Sequence, residues 1–164
     1  MTDADTTGAA AVLAAARTAG VMIATAESCT GGLIAAALTE IAGSSDVVDR
    51  GFVTYSNAAK VEMLGVRPDT LATHGAVSED TAAEMAAGAL VRSRAGVAVS
   101  VTGIAGPGGS ATKPEGRVCF GIADTGGVRT ETVEFGAIGR AQVRAAATMH
   151  ALALLQVALQ PAKD

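Results

Sequence analysis

The segment Ala26-Glu27-Ser28-Cys29-Thr30-Gly31-Gly32 puts two side chains capable of nucleophilic attack into one turn. It reads as a strand-to-helix turn, where the first N–H groups of the helix lack partners and the dipole favours negative charge. A serine there sits beside ready-made oxyanion donors, and Gly31 and Gly32 keep the approach unobstructed. Two plainer readings compete. Ser28 or Thr30 serves only to cap the helix, or Cys29 is the nucleophile, since a helix start lowers a thiol's pKa; a small buried thiol is the simpler account of Cys29. Lys60 falls in the first turn of a later helix, where a cation opposes the dipole. A lysine made neutral in this way can take a proton from a serine hydroxyl, so that Ser-Lys does the work of Ser-His. A solvated surface lysine is the alternative. Tyr55, the only tyrosine, is either packing or a hydrogen-bond relay.

Two further segments can hold a ligand. Thr102-Gly103-Ile104-Ala105-Gly106-Pro107-Gly108-Gly109-Ser110 is dense enough in glycine to let backbone approach a small molecule closely, or else is a flexible surface loop. It is neither a Walker A loop nor a G-x-G-x-x-G turn. Arg140 and Arg144 lie one helical turn apart on one face near a helix start, a pair suited to phosphate or carboxylate, or a solvated stripe. His74 and His150 have no neighbour in sequence suggesting a triad or a metal site and are read as structural. Cys29 and Cys119 fit neither a metal spacing nor a disulfide framework, which points to a reduced, cytoplasmic setting and no metal or other cofactor.

These residues need elements to position them, and hydrophobic periodicity supplies the outline. Helices are predicted over Gly8–Ala19, Leu33–Ala42, from a Ser56 cap through Lys60 to Leu64, from a Ser78 cap to Ser93, and over Arg140–Leu159. Strands are predicted over Val21–Ala24, Phe52–Tyr55, Val97–Val101, Arg117–Ala123 and Val128–Phe135, with Arg67–Thr70 a turn and Asp124–Gly127 closing a hairpin. The order implies a three-layer α/β/α sandwich around a mixed, mostly parallel sheet with an antiparallel hairpin near the C-terminus.

Composition agrees with one such domain across residues 1–164. An apolar share of 49 % against 17 % charged residues excludes a disordered chain. A net charge of −4 offers no general attraction to nucleic acid or anionic membrane, and three Phe, one Tyr and no Trp leave few platforms for stacking bases. No apolar run reaches the roughly 18 residues of a membrane span. Asp3 and Asp5, with no basic stretch before the first apolar run, do not read as a secretory signal. The Ala-rich helices suit a core or an interface equally, and a homo-oligomer is expected.

Taken in order, Thr25-Ala26-Glu27-Ser28-Cys29-Thr30-Gly31-Gly32, Ile41-Ala42-Gly43-Ser44-Ser45, Arg50-Gly51-Phe52-Val53-Thr54-Tyr55-Ser56-Asn57, His74-Gly75-Ala76-Val77-Ser78 and Gly103-Ile104-Ala105-Gly106-Pro107 with Lys113-Pro114 resemble one family, the CinA C-terminal domain family of nicotinamide mononucleotide deamidases. The similarity runs from about residue 8 to 159. It implies hydrolysis of the mononucleotide's carboxamide to nicotinic acid mononucleotide and ammonia, in pyridine-nucleotide recycling, with Ser28 as nucleophile, Lys60 as base and Tyr55 grouped with that lysine. It also implies that Thr30, Gly31, Gly32, Thr102, Gly103, Gly106, Arg140 and Arg144 hold the nucleotide. The chain departs from the family pattern in a glycine loop about one residue short and in Glu115 after Lys113-Pro114. A non-catalytic nucleotide-binding module that keeps the pocket, or a protein-interaction domain, are the alternatives.

Overall fold

The computed structural model describes residues 2–162, ordered as α1 (Asp3–Ala19), β1 (Ile23–Glu27), α2 (Leu33–Thr39), a 3-10 turn (Ser44–Asp46), β2 (Val48–Val53), α3 (Asn57–Leu64), α4 (Pro68–His74), α5 (Glu79–Val91), β3 (Val97–Gly103), β4 (Arg117–Asp124), β5 (Gly127–Glu134) and α6 (Arg140–Ala158). The sheet order is β2-β1-β3-β4-β5. β1 pairs in parallel with β2 and β3, while β3–β4 and β4–β5 are antiparallel, so every strand but β4 runs the same way.

Helices on both faces bury the central strands, which is why β1 and nearly all of β3 are inaccessible and, Glu27 apart, read as runs of small or apolar residues. On one face Ile23, Val99, Val101 and Phe120 meet Leu13, Ile34, Leu38 and Leu152 from α1, α2 and α6. On the other, Ala24, Ala26 and Ala98 meet Leu64, Met85 and Ala89 from α3 and α5. Small side chains on this second face bring α5 very close. A Cβ built on Gly88 would stand 1.9 Å from the Leu64 carbonyl oxygen. Gly88→Ala is therefore expected to destabilise the fold by about 1–3 kcal/mol, against the gain in helix propensity, read as a lower urea midpoint at constant m.

The sandwich, the hairpin and the long helices stand where periodicity puts them; α1, α4, β1 and β2 differ from the expected bounds. α1 starts at Asp3 rather than Gly8, because Thr2 and Asp5 close a capping box. The Arg67–Thr70 turn is the start of α4, with Pro68 in its first turn and Gly75 ending it. β1 is Ile23–Glu27 rather than Val21–Ala24, and β2 is Val48–Val53 rather than Phe52–Tyr55. That shift carries Glu27 into the strand and leaves Ser28 as the first residue beyond it. The chain leaves β1 for α2 on one face and β2 for α3 on the other, so the two connections part at the carboxyl ends of adjacent parallel strands. Crevices in open α/β sheets form at such points.

Candidate active site

Ser28 is fixed as the strand ends: its N–H donates to the Val101 carbonyl of β3 at 2.9 Å. The chain then turns through Gly31 and Gly32, at φ of +58° and +105°, a region that a side chain makes costly. Across the crevice, Ser56 caps α3 by accepting the Ala59 N–H at 3.0 Å, which directs Lys60 inward. Lys60 is only 1 % exposed. Its Nζ lies 2.9 Å from Ser28 Oγ, 2.9 Å from the Thr54 carbonyl oxygen and 3.4 Å from that of Tyr55.

All three partners are neutral, so burial pushes the Lys60 pKa below its ordinary value, against a smaller opposing contribution from Cys29. The surface-lysine alternative is thereby removed. Two of the partners are carbonyls, which can only accept. A neutral amine has two N–H groups for them and one lone pair left, and the remaining neighbour is the Ser28 hydroxyl. Cys29 differs: burial raises its thiol pKa to about 11, which keeps it protonated at neutral pH.

Neither Ser28 nor Thr30 caps α2. The N-cap is Gly32, without a side-chain bond, and the cap is supplied from β1 by Glu27, whose carboxylate accepts the N–H groups of Ile34 at 2.9 Å and Ala35 at 3.0 Å. The Leu33 N–H donates to the Thr30 carbonyl. The expectation that the first turn of this helix supplies an oxyanion hole therefore fails, because those three donors are engaged. Thr30 is fully buried, and its hydroxyl donates to Glu27 at 2.6 Å, which engages the group expected to meet the nucleotide. Glu27 escapes motif reading because an acid between a strand and a turn looks like surface; the available signal is one charged residue ending an otherwise uncharged strand.

The two arginines of α6 part company. Arg144 donates to the carbonyls of Cys29 at 3.0 Å and Thr30 at 3.3 Å, bracing the turn from outside. Arg140 reaches the Gly106 carbonyl at 2.8 Å and the Tyr55 hydroxyl at 3.1 Å. Both of its partners are neutral, which leaves its charge for an anion. The Tyr55 phenol, on a residue 62 % exposed, thus meets Arg140, whereas its main-chain carbonyl meets Lys60.

A cavity of about 200 Å³ opens over the pair, walled by Ser28, Lys60, Tyr55, Asn57, Thr102 and Arg140, with Gly103 alongside. Thr102 donates to the Ala76 carbonyl at 2.7 Å, tying β3 to the segment ahead of α5. Gly103 has no room for a side chain, since a Cβ would stand 2.7 Å from Val118 Cγ2. Gly106 shapes the loop from outside the wall: a Cβ there would fall 2.0 Å from Glu115 Oε1. Glu115 accepts the Gly108 N–H at 3.0 Å and so ties the two sides of this loop together. Asn57 is a cavity residue that motif reading passes over. The histidines lie elsewhere, His74 at 3.5 Å from Asp80 and His150 beside Glu131 with its ring 4.6 Å from that of Phe120. Among the described residues no helix is long and apolar enough to cross a membrane.

Comparison with known proteins places this geometry. The CinA C-terminal domain matches residues 5–159. A CinA-like protein of Chlorobium phaeobacteroides is 61 % identical over 120 residues, 71 % of this chain and 29 % of that protein. The chain thus spans about a quarter to a third of the length of such CinA-like relatives. The nicotinamide-nucleotide amidohydrolase PncC of Escherichia coli is 54 % identical over 137 residues, 83 % of each chain. The crystal structure of the competence/damage inducible protein CihA from Agrobacterium tumefaciens superposes with a TM-score of 0.92 at 54 % identity, over 97 % of each chain.

Proposed function

The chain belongs to the CinA C-terminal domain family, and from that premise we propose that it hydrolyses the carboxamide of nicotinamide mononucleotide by a Ser-Lys mechanism. The observation that carries the reading is the buried Lys60 Nζ, 2.9 Å from Ser28 Oγ and otherwise facing carbonyls. The amine lone pair takes the Ser28 proton as Oγ forms a bond to the carboxamide carbon. The resulting ammonium returns that proton to the nitrogen as the C–N bond breaks, releasing ammonia and leaving a nicotinoyl ester on Ser28. Water, deprotonated by the same amine, attacks the ester carbon; nicotinic acid mononucleotide leaves and Ser28 Oγ recovers its proton. No cofactor enters this sequence of steps.

The relative named an amidohydrolase, similar over most of both chains, supports the substrate class. The reading carries with it a cytoplasmic role in pyridine-nucleotide recycling, no nucleic-acid partner, and a homo-oligomer, which light scattering can determine. Its direct test is ammonia release from nicotinamide mononucleotide, nicotinamide riboside and the dinucleotide. Turnover of the mononucleotide is expected; a thermal shift with that ligand and no ammonia would instead make the chain a binding module.

Arg140 is assigned to the substrate phosphate. A charge-assisted contact is worth ~1.5–3 kcal/mol, so Arg140→Ala should raise KM for the mononucleotide roughly ten- to a hundredfold and leave the phosphate-free riboside little changed. Arg144→Ala, which frees two carbonyls of the nucleophile turn, should lower kcat equally for both substrates. Equal rises in KM on both substrates for Arg140→Ala would reassign it to a structural role.

A further inference from the structure

We infer that Glu27 is a positioning residue for the nucleophile, setting where Ser28 Oγ stands relative to Lys60; this rests on the Ser-Lys reading above. Glu27 is fully buried and takes no part in that proton traffic. Its carboxylate accepts three hydrogen bonds, from Thr30 Oγ1 at 2.6 Å and the Ile34 N–H at 2.9 Å on one oxygen, and from the Ala35 N–H at 3.0 Å on the other. One side chain thus holds the turn that Ser28 opens at two places: the middle through Thr30, and the far end through the first turn of α2. Its main chain adds a third anchor, since the Glu27 carbonyl accepts the Thr54 N–H at 2.8 Å. Thr54 is the residue whose own carbonyl receives Lys60 Nζ. Glu27 therefore fixes the turn bearing the nucleophile and the strand extension that holds the base in one frame. α2 has only seven residues and no side chain of its own at the N-cap, so little else holds its start.

All three partners are donors, a set that only an acceptor can satisfy. The carboxamide of glutamine must turn an NH2 toward at least one of them, so Glu27→Gln keeps the volume and breaks the frame. A misplacement of about 1 Å at a reacting atom costs roughly 10²-fold in rate.

The experiment uses the full chain and three variants. Glu27→Gln is expected to lower kcat ten- to a hundredfold with KM within about twofold, and Thr30→Val to lower kcat several-fold with KM unchanged. Met85→Ala, in the core on the opposite face of the sheet, lowers the melting temperature and should keep kcat, which separates positioning from general destabilisation. Native-state hydrogen exchange supplies an arm independent of turnover: in Glu27→Gln, or in Thr30→Val if the first variant does not fold, the Ile34 and Ala35 amides should exchange at least about tenfold faster while Val99 in β3 is unchanged. Wild-type kcat in both variants, a KM increase matching the kcat loss, or unchanged exchange at Ile34 and Ala35 would overturn the inference. Absence of ammonia release by the unmodified chain would overturn the Ser-Lys reading instead, and the exchange arm would still decide whether Glu27 frames the turn.

Discussion

Ser28→Ala should abolish ammonia release while Cys29→Ala retains most of it, with both variants folded. The two side chains are adjacent in sequence and opposite in chemistry. Ser28 Oγ has the Lys60 amine at 2.9 Å, whose remaining partners are carbonyls, whereas burial holds the Cys29 thiol at about 11. Removing the serine oxygen deletes the covalent path, and the residual rate is that of binding without a nucleophile, typically lower by several powers of ten. Trimming a small buried thiol costs packing alone, about 1 kcal/mol, and should register in the melting temperature rather than in kcat. A mass increase on Ser28, trapped by acid quench during turnover, would identify the ester directly. Inactive Cys29→Ala beside active Ser28→Ala would transfer the nucleophile to the thiol.

The resemblance to a family supplied the pairing of Ser28 with Lys60; spacing alone left both with plainer roles. The reason is physical. Residues 28 and 60 meet only because β1 and β2 are adjacent and their connections leave for opposite faces, a property of strand order that local periodicity does not carry. Local signals do fix what depends on local chemistry: the Ser56 and Ser78 caps, the helix end at Leu64 and the hairpin between β4 and β5. They failed where a distant group intervenes. The i, i+4 spacing of Arg140 and Arg144 puts them on one face of α6, but the guanidinium of one ends on the loop after β3 and that of the other on the turn after β1. Thr30 looks like a cap and is instead a ligand of Glu27. Glu27 looks like surface because its compensation comes from N–H groups seven and eight residues later, which become neighbours only once α2 folds back over the strand.

Lys60→Arg should be as inactive as Lys60→Ala, a loss of roughly 10²–10⁴-fold for removal of a general base. Arginine keeps a positive charge but does not deprotonate in any accessible range, so it can supply attraction and no lone pair. Substrate binding, followed as the melting shift produced by the mononucleotide, should survive in Lys60→Met. The unmodified chain should show kcat/KM rising with pH through the depressed Lys60 pKa and levelling above it, because burial favours the neutral amine and only that form can accept the Ser28 proton. The same shift has a sign in stability. Between the lowered folded value and the ordinary 10.5, the unfolded chain holds a proton on this amine that the folded chain lacks, so stability rises with pH across that window. Below the folded value both states are protonated, the slope vanishes and the cost of burying an ammonium is fully present. Subtracting the urea stability curve of Lys60→Met from that of the unmodified chain isolates this contribution, which should begin to climb near the pH where kcat/KM levels and stop climbing above the ordinary 10.5. A flat difference curve, or substantial turnover by Lys60→Arg, would show that the lysine supplies charge alone, and the Ser-Lys mechanism would fall with it.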